Sequence, residues 1–166
     1  MKIMNKLQNK LKKANKDNKG FSLVELIIVI AIMAILVGIV GTQVIPYLGK
    51  SKAAKDQQVL NSFSTAAVTA FSENAEKMPT TGTFTVDVYT GTYSADPESV
   101  IVSSVKSAVG YSGMDEVKKQ FSSEAKTQAD DIELKFDVDN HKLTASIKYA
   151  SGATIKYEVK DVTATL

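Results

Sequence analysis

The sequence predicts an α+β fold: a long N-terminal helix, apolar in its first half and amphipathic in its second, packed on a C-terminal antiparallel β-meander. Three observations predict it. Of the 29 residues from Phe21 to Gly49, 21 are apolar and one, Glu25, is charged. After Pro46 the apolar residues Val59, Leu60, Phe63, Ala66, Ala67, Ala70 and Phe71 recur at three- and four-residue spacings, one face of a helix. Near the C-terminus, residues 132–138 and then Leu143, Ala145, Ile147 and Tyr149 alternate apolar with polar, the period of half-buried strands.

The N-terminal segment 1–20 holds seven Lys and one Asp, a net +6, whereas the whole chain is +2, so the remaining residues sum to −4. The body is therefore acidic and the chain has no Arg, which speaks against a nucleic-acid reader built on bidentate contacts. With no Cys there is no disulfide, thiolate nucleophile or Cys-ligated zinc. A single His, His141, excludes paired-His metal sites. We expect no enzyme, no catalytic residue, no metal and no cofactor.

A basic segment before an apolar run invites a signal-peptide reading, but the uncharged stretch from Leu26 to Gly49 is 24 residues long, whereas a signal h-region has about 7–15. About 20 helical residues cross the roughly 30 Å hydrocarbon core. The expectation is a single-pass chain, with the Lys-rich end inside and residues 50–166 outside. Glu25 is costly within an apolar segment, by about 2.5–3.5 kcal/mol at mid-membrane and less near an interface. The plain reading is a carboxylate snorkelling to the headgroups.

Its context suggests more. Lys19-Gly20-Phe21-Ser22-Leu23-Val24-Glu25-Leu26 and the apolar run behind it resemble the prepilin signature of type IV pilins and their relatives: a basic, class III-type leader ending in Gly, then Phe, then Glu at the fifth mature position. The resemblance covers roughly Lys19 to Val40. It implies cleavage between Gly20 and Phe21 by a prepilin peptidase on the cytoplasmic side, and N-methylation of Phe21. It also implies a pilin-like fold and a homopolymer of pilin subunits raised by an assembly ATPase and its membrane platform. The subunit would reside in the cytoplasmic or inner membrane, then in an extracellular filament. Residue chemistry agrees. Gly20 offers a backbone free of side chain to a protease cleft. A new amine at Phe21 would be a cation at the head of an apolar helix, and Glu25 its counter-charge, taken in the family to come from a neighbouring subunit. The chain departs from the family in its long leader, in Thr42 where a helix-breaking Pro is familiar, and in lacking paired cysteines. The last leans toward a Gram-positive or other disulfide-free member.

The implied organisation is a cleaved leader at 1–20, a transmembrane and filament-core half-helix at 21–49, an amphipathic half at 50–78 and an α+β head at 79–166. One helix is expected from Phe21 to about Glu76, ended by Met78-Pro79. Lys50, Lys52, Lys55, Asp56, Ser62, Thr69 and Glu73 are expected mostly off its apolar face. Ala34, Gly38 and Thr42 form a small-residue stripe that permits close helix packing in lipid. Gly38, Gly41 and Pro46 make residues 38–46 the weakest part of the helix, where it is expected to bend or partly melt on filament packing. Gly49-Lys50-Ser51 imitates a P-loop ending, but position 44 is Val where that motif needs Gly.

In the head, Phe84, Val86 and Val88 predict a strand. Asp96-Pro97 is expected to open a helix, with Asp as cap and Pro at its first position, and Gly110 to close it. A second helix is expected from Met114 to about Ala129, carrying Val117, Phe121 and Ala125. The meander then runs through residues 132–138, a turn at Asp139-Asn140-His141, residues 143–149, a turn at Ser151-Gly152 and a third strand from Thr154 to Val159. Asp137, Asp139 and His141 are a conceivable cation site; a solvated polar turn is the plainer reading. Tyr89, Tyr93 and Tyr111 suit either an adhesive surface or ordinary packing.

The leading function is a structural subunit of a type IV pilus serving adhesion, motility or a related role. A secretion pseudopilin or competence pilin is the alternative within the superfamily. An uncleaved single-pass membrane-anchored binding domain is the alternative from another class.

Overall fold

The computed structural model describes Met4 and residues 21–166. The described chain falls into two units, one ending at Ile45 and the other running Pro46–Leu166. Their elements are α1 (Leu23–Ile39), a π-helical turn (Val40–Val44), α2 (Ile45–Glu73), a 3₁₀ turn (Ala75–Lys77), β1 (Thr83–Asp87), α3 (Glu98–Val109), α4 (Met114–Gln120), α5 (Ala125–Gln128), β2 (Ala129–Asp137), β3 (Lys142–Tyr149) and β4 (Val162–Thr165). Long helix followed by antiparallel sheet is the α+β arrangement expected.

Helical residues run from Leu23 to Glu73. Three residues fewer than expected are α-helical at the C-terminal end. Asn74 leaves the helical region at φ −114°, ψ 27°, and its Nδ2 covers the Ala70 carbonyl at 2.9 Å. A 3₁₀ turn then carries the chain to Lys77. Within the stretch expected to be weak, the backbone widens to π-helix at Val40–Val44, where the Ile45 N–H reaches back to the Val40 carbonyl. Pro46 lacks an N–H and would crowd the carbonyl four residues before it. A wider turn ahead of it relieves that crowding, as π-bulges do.

The Pro46–Leu166 unit holds one buried cluster. From α2 it takes Ala53, Leu60, Phe63, Ala66, Ala67 and Ala70. The sheet is four-stranded in the order β1-β2-β3-β4, all antiparallel. Its core-facing rows run across the strands: Val86, Leu134, Ala145 and the partly buried Val162 in one register, Phe136 and Leu143 flanked by the partly buried Phe84 and Ala164 in the next. Phe136 stacks on Phe84 with centroids 4.6 Å apart and on Phe71 of α2 at 5.8 Å, so one ring joins helix to sheet.

Four expectations need correction. The helix after Asp96 starts at Glu98 with Pro97 as N-cap and no side-chain cap on its backbone; Asp96 Oδ1 instead accepts from the Ser99 hydroxyl at 2.7 Å. Gly110 does close it, in the left-handed region at φ 74°. The expected Met114–Ala129 helix is broken. α4 stops at Gln120, Phe121 is extended, one turn of α5 follows, and β2 has begun by Ala129. The third meander strand is not at Thr154–Val159 but at Val162–Thr165. The fourth correction is Asp56, expected off the apolar face and in fact fully buried.

Asp56 explains the broken helix. Its two carboxylate oxygens accept the N–H groups of Ser122 at 2.7 Å and Ser123 at 2.8 Å, holding that backbone away from helical pairing. Glu124 explains the missing strand. Its Oε2 accepts the N–H groups of Lys156 at 2.7 Å and Tyr157 at 3.1 Å, Gln128 accepts that of Thr154 at 3.1 Å, and the donors a strand would need are taken. Asp131, buried beside the bulge in β2, accepts from the N–H groups of Tyr89 and Thr90 and from the Thr90 hydroxyl.

Candidate functional site

The candidate functional residues named from the sequence lie at the head of α1 and along its apolar surface. Ser22 is the N-cap, extended at φ −67°, ψ 140°. Its hydroxyl oxygen accepts from the Val24 N–H at 3.3 Å, while Glu25 Oε2 accepts from the Ser22 N–H at 2.9 Å. These reciprocal bonds are a capping box, satisfying two of the amides a helix start leaves orphaned. Ser-x-x-Glu before an apolar run is its sequence signature, and Ser22 and Glu25 carry it. Glu25 thus sits in the first turn, where a carboxylate also meets the positive end of the helix dipole. Phe21 and Ser22 lie outside the helix, and Gly20 lies outside the described residues.

No residue of α1 is buried. Phe21 is 84% exposed, and the apolar side chains from Leu23 to Leu48 stay about half exposed or more. So large an apolar surface on a folded chain marks a site for lipid or for other protein. Among the described residues, Leu23–Glu73 is the one helix long and apolar enough to cross a membrane. Within the stripe, Thr42 folds back on the helix: its hydroxyl donates to the carbonyls of Gly38 at 3.1 Å and Ile39 at 3.3 Å. The hydroxyl is thereby satisfied without water, and a Cβ built on Gly38 would meet nothing within 4 Å. Ala34, Gly38 and Thr42, spaced four apart, share one side of the helix.

The other residues singled out from sequence have local partners. Asp137 accepts from Asn140, through Nδ2 at 2.9 Å and N–H at 3.1 Å, and the Asn140 side chain first, then its backbone, holds the carboxyl below its ordinary range. Asp139 Oδ1 accepts from the Gly82 N–H at 2.9 Å. His141 takes the left-handed turn position at φ 49°. Tyr89 and Tyr111 pack on Phe63, each with centroids 6.3 Å apart, and the Tyr93 hydroxyl accepts from the Asp87 N–H at 2.7 Å. Burial, then the Asp131 carboxylate, pushes the Tyr89 phenol well above its usual value. These tyrosines serve packing.

Comparison with known proteins gives one positive result. A family model for the prokaryotic N-terminal methylation motif matches residues 15–41, the basic junction and the helix behind it. No curated protein and no solved structure matches the chain.

Proposed function

We propose that this type IV pilin-like precursor, marked by the N-terminal methylation motif on a long helix followed by an antiparallel sheet, is a structural subunit processed between Gly20 and Phe21 and polymerised into a surface filament. The observation that carries the reading is the conjunction at the helix head: the matched motif, two non-helical residues ahead of a capped helix, and behind them an apolar helix with no buried residue. A peptidase needs extended backbone, and Phe21 and Ser22 lie ahead of the first helical turn. The capping box fixes that boundary two residues beyond the proposed cut.

Cleavage would leave an amine at Phe21, the proposed site of methylation, at the positive end of the α1 dipole, where a cation is disfavoured. An anion must answer it. Glu25 stands in the first turn, and in lipid an ammonium and a carboxylate satisfy each other where water cannot. On our reading a neighbour's Glu25 takes this role and sets the subunit register, the Ala34-Gly38-Thr42 stripe lets helices approach, and the π-turn is where the helix gives way on packing. The chain performs no reaction; prepilin peptidase, the assembly ATPase and the membrane platform act on it. We place the leader inside and residues 50–166 outside before assembly, and divide the chain at 20, 49 and 78.

Glu25→Val tests this. It removes the carboxylate and its insertion cost together, so the expected product is cleaved, stable and held in the membrane, with few or no fibres in the sheared cell-surface fraction. Glu25→Asp, which keeps the charge with a shorter reach, should be intermediate. Normal fibre number and length from Glu25→Val cells would remove the register role.

A further inference from the structure

Beside the start of α2 lies a cavity of about 500 Å³, closed on one side by α2 and on the other by residues 156–160. Its lining is in part apolar and aromatic: Ala53, Ala54 and Tyr157. Its polar lining includes three lysines, Lys50, Lys156 and Lys160, against one carboxylate, Glu158. All four charged residues are exposed, and the Lys156 ammonium stands over the Tyr157 ring, 5.4 Å from its centroid. The segment is held there by built contacts. Glu124 caps Lys156 and Tyr157, Val159 is buried, and the Tyr157 ring lies where a Cβ on Gly49 would stand. Gly49 is what lets the ring approach the helix.

The position of this cavity along the chain says what fills it. Lys50 is the first residue after the apolar run. Tyr47, three residues earlier and 73% exposed, is the amphipathic ring that settles at a membrane–water interface. Three helical residues rise about 4.5 Å, and the headgroup layer beyond the hydrocarbon is about 5–8 Å deep on each side. Side chains on a helix lean towards its N-terminus, which here is the membrane end. From these observations we infer that the cavity takes the phosphate of an anionic phospholipid headgroup while the subunit is held in the membrane. The lysines meet the phosphate, and the ring and alanines cover the glycerol and upper acyl carbons. This rests on the membrane-held precursor and not on polymerisation.

The experiment uses the full-length, uncleaved chain in phosphatidylcholine vesicles with and without phosphatidylglycerol, reading retained lipid by native mass spectrometry. The Lys-rich leader attracts phosphatidylglycerol equally in every variant, so the site is read by comparing variants: two net lysine contacts at about fivefold each predict a preference for phosphatidylglycerol roughly twenty-five-fold above that of a chain without them. The triple change Lys50→Gln, Lys156→Gln, Lys160→Gln should lower the preference by that factor with circular dichroism unchanged. The matched change Lys119→Gln, Lys126→Gln, Lys135→Gln should keep it. An undiminished preference in the site variant, or an equal fall in both triple variants, would overturn the site. Excess inorganic phosphate should leave the lipid bound; displacement by it would assign the cavity to free phosphate and overturn the lipid reading. Because no step needs cleavage or assembly, failure here leaves the filament reading standing.

Discussion

Removing one oxygen from Asp56 should destabilise the Pro46–Leu166 unit far more than an ordinary surface change. The carboxylate is fully buried, and each oxygen accepts one backbone N–H, Ser122 at 2.7 Å and Ser123 at 2.8 Å. Asp56→Asn keeps one acceptor and turns the other into an NH₂ group facing an N–H donor. One charge-assisted bond is lost, about 1.5–3 kcal/mol, and a buried donor is left without a partner, about 1–3 kcal/mol more. Relief of the buried charge offsets part of this, so the expected loss is about 3 kcal/mol. At roughly 3 °C per kcal/mol for a domain of this size, Tm should fall by about 10 °C. The assay is thermal unfolding of a soluble Pro46–Leu166 fragment, which contains the whole buried cluster and should fold alone, indifferent to reductant. Hydrogen exchange at the Ser122 and Ser123 amides gives the local readout and should accelerate in the variant. A Tm within about 2 °C of the parent fragment, with both amides still protected, would refute the reasoning.

Other perturbations follow from the same geometry. Gly20→Val should leave an uncleaved precursor in the membrane, visible as a longer band on immunoblot; normal processing would count against the peptidase reading. Gly49→Ala places a methyl group within the Tyr157 ring and should cost about 1–3 kcal/mol in the Pro46–Leu166 fragment, read by thermal unfolding. Asp137 is held below its usual range chiefly by the Asn140 side chain, and Glu116 chiefly by the Ser112 backbone N–H. Carboxyls depressed on folding contribute stability that is present above their unfolded pKa and lost as pH falls through the lower folded value. A Tm profile should therefore drop below about pH 4, and Asp137→Asn should flatten part of that drop.

What was legible in the sequence was whatever repeats. The apolar run, the three-and-four spacing of Leu60, Phe63, Ala67 and Ala70, and the alternation through residues 132–149 each average over many residues, so no single local bond overturns them. What escaped was set by single polar side chains with distant partners. Asp56 and Ser122 are 66 residues apart, and Glu124 and Lys156 are 32; neither spacing is periodic. Residues 154–159 alternate well enough to look like a strand, yet their donors go to Glu124 and Gln128, and the fourth strand forms only beyond them. Two signals were present all the same. Asp56 falls on the stripe that runs Ala53, Leu60, Phe63, so its burial follows from its phase on the helix. Ser22 and Glu25 stand at the spacing of a capping box. At the candidate site, a motif of a few residues pointed to the chemistry, and the helix boundary that frames the proposed cut is set by the bonds that the Ser22 and Glu25 side chains make to the backbone.

On the proposed function the chain is a precursor whose working form begins at Phe21. Intact-mass and N-terminal peptide analysis of the protein recovered from its native membrane or from sheared fibres tests it most directly. The expected chain starts at Phe21, with the mass of one added methyl group on its α-amine and no peptide from residues 1–20. A mature protein that begins at Met1, with Gly20 and Phe21 still joined in one unmodified peptide, would contradict it.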